Sequence, residues 1–239
     1  MKKSITSIIL AFLSITMVHA QDKLKGNGTI ISKSIATAGY DKISISGFFD
    51  IELIAGEEGK IIVEGEENLV GFIQIDVDSN LLKIGIQKGK HLTTSKGKKI
   101  VITVPFETLN EVSLAGSGDV ITKSKITTNQ FSTTLSGSGD INLQIDATNI
   151  TAKLSGSGNI TLKGKSENFN CTVLGSGDIN ATELVSTNVD STITGSGDCK
   201  VFCSEFLQAR VNGSGDIDYS GNPKKKDTKV TGSGSISKA

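Results

Sequence analysis

The chain is predicted to be all-β, wound as a parallel β-helix (a β-solenoid) with about 19–20 residues per coil. Three observations predict it. The tetrapeptide Gly-Ser-Gly-Asp, or a near copy, occurs seven times, starting at Gly116, Gly137, Gly156, Gly175, Gly195, Gly213 and Gly232. The spacings are 21, 19, 19, 20, 18 and 19 residues. Self-similarity at such a period marks stacked units, each burying its apolar face only against its neighbours. Around every copy, apolar and polar residues alternate with period two, the pattern of a half-buried strand. Finally, an amide (Gln130, Asn149, Asn168, Asn188) holds one position in four successive repeats. Stacked amides form hydrogen-bond ladders along parallel coils. A run of antiparallel hairpins closing into a barrel also fits a strand–corner–strand repeat, but gives no reason to keep the amides in step.

The elements follow in order. Met1-Lys2-Lys3 precedes an apolar run from Ile8 to Val18, and Val18-His19-Ala20 supplies a small-residue exit. Residues 1–20 are therefore expected to be a secretory signal peptide, too short to span a bilayer. No cysteine follows the cleavage point, so a lipid anchor is not expected, and the mature chain starts at Gln21. No other apolar run approaches membrane length.

Residues 21–108 read as an irregular N-terminal β section. Ile43, Ile45, Gly47, Asp50, Ile51 and Leu53 match the later repeats, and Ile61, Val63, Gly65, Asn68 and Leu69 repeat the set. The stretch Ile73 to Ile86, with Asp78-Ser79-Asn80 at its middle, predicts a hairpin. Lys88 to Lys99 reads as a polar loop, and a strand from Ile100 to Val104 ends at Pro105. No segment shows helical periodicity.

Residues 109–239 form the regular β-helix. Two residues before the first glycine of each copy stand Leu114, Leu135, Leu154, Val173, Ile193, Val211 and Val230. Four before it, the residues are mostly small, including Ala152, Cys171, Ser191 and Ala209. Four after it come Val120, Ile141, Ile160, Ile179, Cys199, Ile217 and Ile236. Each repeat thus reads strand, sharp glycine corner, strand, loop, with both strands facing one core. The corner needs positive φ, which glycine adopts without strain. Lys226, Lys229 and Lys238 give the last repeat the polar character that protects an exposed edge.

Composition narrows the function. Without Lys2 and Lys3, 23 basic residues face 25 acidic ones, which gives no attraction to nucleic acid or anionic lipid. Arg210 is the only arginine, tryptophan is absent and aromatics make up 5%, so phosphate clamps and stacking platforms are not expected. The three cysteines, Cys171, Cys199 and Cys203, imply at least one free thiol. Cys171 and Cys199 read as small buried hydrophobes.

The exported chain with tandem Gly-Ser-Gly-Asp-Ile units resembles the putative auto-transporter adhesin, head GIN domain family. Gly47 to Leu53, Gly65 to Leu69, and Leu114 to Val120 with its later copies carry the resemblance, across roughly Ile35 to Ile236. It implies a right-handed parallel β-helix, often in two sections, exported by diderm bacteria to the periplasm, the outer-membrane surface or the medium. It also implies an adhesin-like role. The chain lacks the large membrane barrel that a true auto-transporter would need.

The expected function is an exported, non-catalytic, adhesin-like or envelope-structural solenoid that binds a surface protein or glycan and could pair with a second copy. No cofactor, catalytic residue or nucleic-acid partner is expected. The aspartates three residues after the first glycine, Asp119, Asp140, Asp178, Asp198 and Asp216, are weak calcium candidates, because a row of carboxylates is a hard-cation environment. Two carboxylates stacked at coil spacing repel by roughly 3 kcal/mol at an effective dielectric of 20. Backbone amides at the corner are the expected offset. A polysaccharide lyase or hydrolase would need singled-out carboxylates in a cleft, and these aspartates are periodic. An ice-binding row of Ser113, Thr134, Thr172 and Thr192 is interrupted by Lys153 and Arg210.

Overall fold

A computed structural model describes residues 22–239. The signal-peptide expectation for residues 1–20 lies outside the described residues. The strands are β1 (Asp22–Lys25), β2 (Ile30–Ala36), β3 (Lys42–Gly47), β4 (Asp50–Ala55) and β5 (Lys60–Glu66). A four-residue helix α1 (Glu67–Val70) follows, then β6 (Ile73–Asp78), β7 (Leu81–Ile86), β8 (Lys90–Thr93) and β9 (Val101–Phe106). The repeats supply β10 (Glu111–Gly116), β11 (Asp119–Thr122), β12 (Ile126–Gly137), β13 (Asp140–Gly156), β14 (Asn159–Gly175) and β15 (Asp178–Gly195). The chain closes with β16 (Cys199–Gly213), β17 (Ile217–Ser220), β18 (Lys225–Gly232) and β19 (Ile236–Lys238).

The repeats are a parallel β-solenoid. β13 lies parallel on β14 from Asp140↔Asn159 to Gly156↔Gly175, and every equivalent pair keeps step. The segment expected to be a loop is strand instead. Pairing runs on through Gln144↔Lys163, Ile145↔Gly164 and Asn149↔Asn168, so most of the coil satisfies its own backbone on its neighbours. The unequal spacings of the corners appear as bulges. β15 belongs to the 20-residue repeat, and its ladder with β14 slips between Thr161 and Lys163. β16 belongs to the 18-residue repeat, and its ladder with β15 slips twice, between Ala181 and Val185 and between Ser186 and Asn188. Both coils return to step before the next glycine.

The core is built of stacked columns, three of which flank the corner and are aliphatic or small. Leu114, Leu135, Leu154, Val173, Ile193 and Val211 are buried, as are Val120, Ile141, Ile160, Ile179, Cys199 and Ile217. The third column, four residues before the corner, is buried from Val112 through Ala209. At the end of the stack β18 pairs with β16 alone among the described residues, and the equivalent Val230 is 40% exposed.

The N-terminal section joins the same stack out of sequence order. β3 and β4 lie parallel to β10 and β11, pairing Ile45 with Leu114 and Asp50 with Asp119, as the matching pattern predicted. Their opposite edges pair, also in parallel, with β7 and β9. One coil is therefore sandwiched between two that come later in the chain. The second copy expected at Ile61 and Val63 is not a coil. β5 runs antiparallel to both β2 and β9, and Asn68 and Leu69 belong to α1. Alternation fixes which side of a strand is apolar, but leaves the direction of its neighbour open. A four-residue helix is likewise too short to show a helical period.

The hairpin is present, with β6 antiparallel to β7 across Ser79 (φ 52°) and Asn80 (φ 66°). Positive φ at both turn residues suits the right-handed twist of the strands. The lysine-rich segment is not wholly loop, because β8 pairs in parallel with β1. Strand β9 also runs past Pro105, which faces Ile54 of β4, and its carbonyl accepts the buried Tyr40 hydroxyl at 2.5 Å.

Candidate functional site

The corner is built by stacking. Gly137 has φ +136°, and a Cβ there would fall 2.2 Å from the Gly116 carbonyl oxygen one coil away. The second glycine of the motif answers a different need. Gly139 lies outside the left-handed region, yet its Cβ would meet the Gly118 carbonyl oxygen at 2.0 Å. The N–H groups of Ser138 and Gly139 both donate to the Gly116 carbonyl, at 2.9 and 3.2 Å. Conformational freedom therefore explains only the first glycine, while backbone contact demands both.

All five predicted aspartates fall in one column. Asp119 stands in register with Asp50 on one side and Asp140 on the other, and Asn159 separates Asp140 from Asp178. The carboxylates are tied to the next coil. Asp140 Oδ1 accepts the Asn159 N–H at 3.0 Å and its side-chain amide at 2.9 Å. Asp178 Oδ1 accepts the Asp198 N–H at 2.8 Å, and Asp198 Oδ1 accepts the Asp216 N–H at 2.9 Å. Asp216 Oδ1 accepts both the N–H and the hydroxyl of Ser235, at 2.7 and 2.9 Å. At the other end, Lys99 bonds Asp50 at 2.6 Å. These donors offset the repulsion between stacked carboxylates. Among the described residues no group of three or more His, Cys, Asp or Glu is arranged to hold a metal ion.

Outward side chains beside this column line a shallow groove of about 410 Å³, whose walls include Asp140, Asn142, Thr161, Asp178, Asn180 and Lys200. An Asp or Asn recurs there once per coil, beside Asn142, Thr161, Asn180 and Lys200 in turn. On another side of the stack the amides form their ladder. Asn168 donates to Asn149 Oδ1 at 2.9 Å, and Asn188 donates to Asn168 Oδ1 at 3.0 Å. Gln130 is in register with Asn149, and both line a second groove of about 740 Å³ that reaches Asp41 and Asn110.

Two features escaped sequence reasoning. Glu66 is fully buried, and its carboxylate accepts the Gly28 N–H at 2.6 Å and the Ser95 N–H at 2.8 Å. The Ser95 hydroxyl bond, first, and these backbone donors hold its pKa below the ordinary glutamate range. A glutamate in Glu64-Gly65-Glu66-Glu67 carries no sequence signal for this. The other is the approach of Cys171 and Cys199, with sulfurs 3.3 Å apart. Column-by-column alignment cannot show it, because the pair crosses the core between two columns.

The family model described as putative auto-transporter adhesin, head GIN domain, matches residues 39–223. The chain belongs to that family. Its aspartate column from Asp50 to Asp216 lies within the matched span. A solved structure described as a putative adhesin from Bacteroides fragilis is 26% identical, with a TM-score of 0.82. That alignment covers 90% of this chain and 100% of the other. A protein described as a putative lipid binding protein from Parabacteroides distasonis is also 26% identical, with a TM-score of 0.75 over 91% and 100% of the two chains. A putative adhesin from the same species shares the fold at 24% identity and a TM-score of 0.74, over 91% and 100%. No curated protein matches this head GIN chain.

Proposed function

We propose that this head GIN protein is an exported, non-catalytic binding module of the cell envelope, whose partner is an extended surface glycan or protein. The observation that carries the reading is the groove beside the aspartate column, where Asp140, Asn159, Asp178 and Asp198 recur at coil spacing beside the polar side chains of Asn142, Thr161, Asn180 and Lys200. A periodic surface suits a ligand that is itself periodic or extended. A catalytic cleft would need one carboxylate set apart from its peers, whereas here four aspartates make the same bond to the next coil. The descriptions of the family and of the Bacteroides fragilis neighbour support an adhesive role. A lipid partner draws less support, since the exposed large apolar residues Ile30, Ile62, Leu174, Val185 and Val230 lie on five different strands. No helix of the described residues is long and apolar enough to cross a membrane.

The test is a glycan array and an envelope pull-down with residues 21–239. Enrichment of one partner, weakened at least tenfold by Asn142→Ala with Asn180→Ala, supports the groove. Binding untouched by that pair rejects it. Fractionation of the producing cell checks export separately.

A further inference from the structure

Three cysteines in one exported chain leave open which two pair. Cys203 is buried, but its sulfur faces backbone carbonyls, those of Phe206 at 3.2 Å and Thr187 at 3.5 Å. Cys171 and Cys199 instead face each other. Cys171 stands four residues before its corner and stacks under Ser191. Cys199 stands four residues after the next corner and stacks on Ile179. The two come from opposite sides of adjacent coils and meet in the interior. Their sulfurs are 3.3 Å apart, and both residues are essentially inaccessible to solvent. Other coils place Val112, Thr133, Ala152, Ser191, Ala209 or Thr228 at the first position and Ile or Val at the second. Only this pair of coils brings sulfur to both.

We propose that Cys171 and Cys199 form a structural disulfide across the solenoid core, leaving Cys203 as the single free thiol. The step is thiol–disulfide exchange. The two sulfurs join, two protons are released, and two electrons pass to an oxidant of the disulfide class, which leaves as two thiols. Burial dictates when this happens. No oxidant reaches the sulfurs in the finished coil, so the bond forms while the coils assemble and persists once they close. The bond closes a loop between residues 28 apart in sequence, which restricts the unfolded chain. It ties two adjacent coils through the core, where backbone hydrogen bonds otherwise hold them edge to edge. The proposal rests on the export reading only for its oxidising compartment.

The experiment uses reduced, unfolded protein of residues 21–239, refolded in a glutathione redox buffer, acid-quenched and alkylated under denaturing conditions. The expected product is lighter by two hydrogen atoms before alkylation, takes one alkyl group on Cys203, and yields a linked Cys171–Cys199 peptide. Cys203→Ser gives the same link with no alkylated thiol. Cys171→Ala, which restores the residue of the preceding coil, and Cys199→Val, which keeps that position small and apolar, give no link. The oxidised wild type melts above its reduced form by on the order of 10 °C, and Cys171→Ala shows no such difference. Three alkylated thiols after refolding, or a link through Cys203, would overturn the proposal. Because the assay is done in vitro, its outcome is independent of where the cell delivers the protein.

Discussion

Glu66 and Ser95 are joined twice: the Ser95 N–H donates to Oε2 at 2.8 Å and its hydroxyl to Oε1 at 2.6 Å. The Gly28 N–H donates to Oε1 at 2.6 Å, and the Gly26 carbonyl oxygen lies 2.9 Å from the same Ser95 hydroxyl, so one carboxylate gathers the amino-terminal segment, the start of α1 and the loop before β9. With its pKa lowered in the folded state, Glu66 contributes stability above the ordinary glutamate range. That contribution is lost as pH falls through the folded value. Glu66→Gln should therefore melt below wild type at pH 7, with the gap closing in acid. A melting series from pH 7 to pH 3 checks it; an unchanging gap would refute the charge as the cause.

Gly139→Ala places a methyl 2.0 Å from the Gly118 carbonyl oxygen, where only backbone can move aside. The expected cost is about 3 kcal/mol or more. Ser138, exposed beside it, should tolerate alanine within about 0.5 kcal/mol. Urea unfolding of the two variants separates stacking from a general dislike of change at the corner.

Thr133 is fully buried with no partner for its hydroxyl, and stands in register with Val112. Thr133→Val should stabilise by about 1 kcal/mol, since it removes an unpaired polar group at constant shape. Leu154→Ala, at 1% exposure, should cost about 2–5 kcal/mol. Chemical denaturation of both variants tests the reading of the columns.

Asn168→Asp removes the donor to Asn149 while keeping the acceptor for Asn188. A loss of about 1 kcal/mol at neutral pH is expected. It should shrink in acid, where the carboxyl regains a proton to donate.

Calcium at millimolar concentration should leave the melting temperature unchanged, because the carboxylates at Asp140, Asp178, Asp198 and Asp216 are engaged with backbone N–H groups. A rise of several degrees, lost in Asp178→Asn, would instead reinstate the cation site.

The repeats were legible because each column obeys one demand. Leu135 lies beside Leu154, and Asn149 beside Asn168, so residue type at one spacing reports one environment. The N-terminal section offers no such agreement. β3 has β7 on one side and β10 on the other, segments brought together by a detour that no local pattern encodes. Ile61 and Val63 alternate as well as Ile43 and Ile45 do, yet their strand runs the other way. The aspartate column was readable as a column. What steadies it in coil after coil is a main-chain donor of the following coil, which every sequence possesses equally.

The sandwiched position of β3 and β4 sets the order of assembly during synthesis. Both edges of that coil are completed by residues made much later, through Phe106 on one side and Thr122 on the other. A nascent chain thus exposes its leading strands before either neighbour exists, and loop closure must await the downstream partners. β3 and β4 stay without a ladder until β7 and β9 have been made. The regular coils, by contrast, can each dock on their predecessor as soon as they emerge.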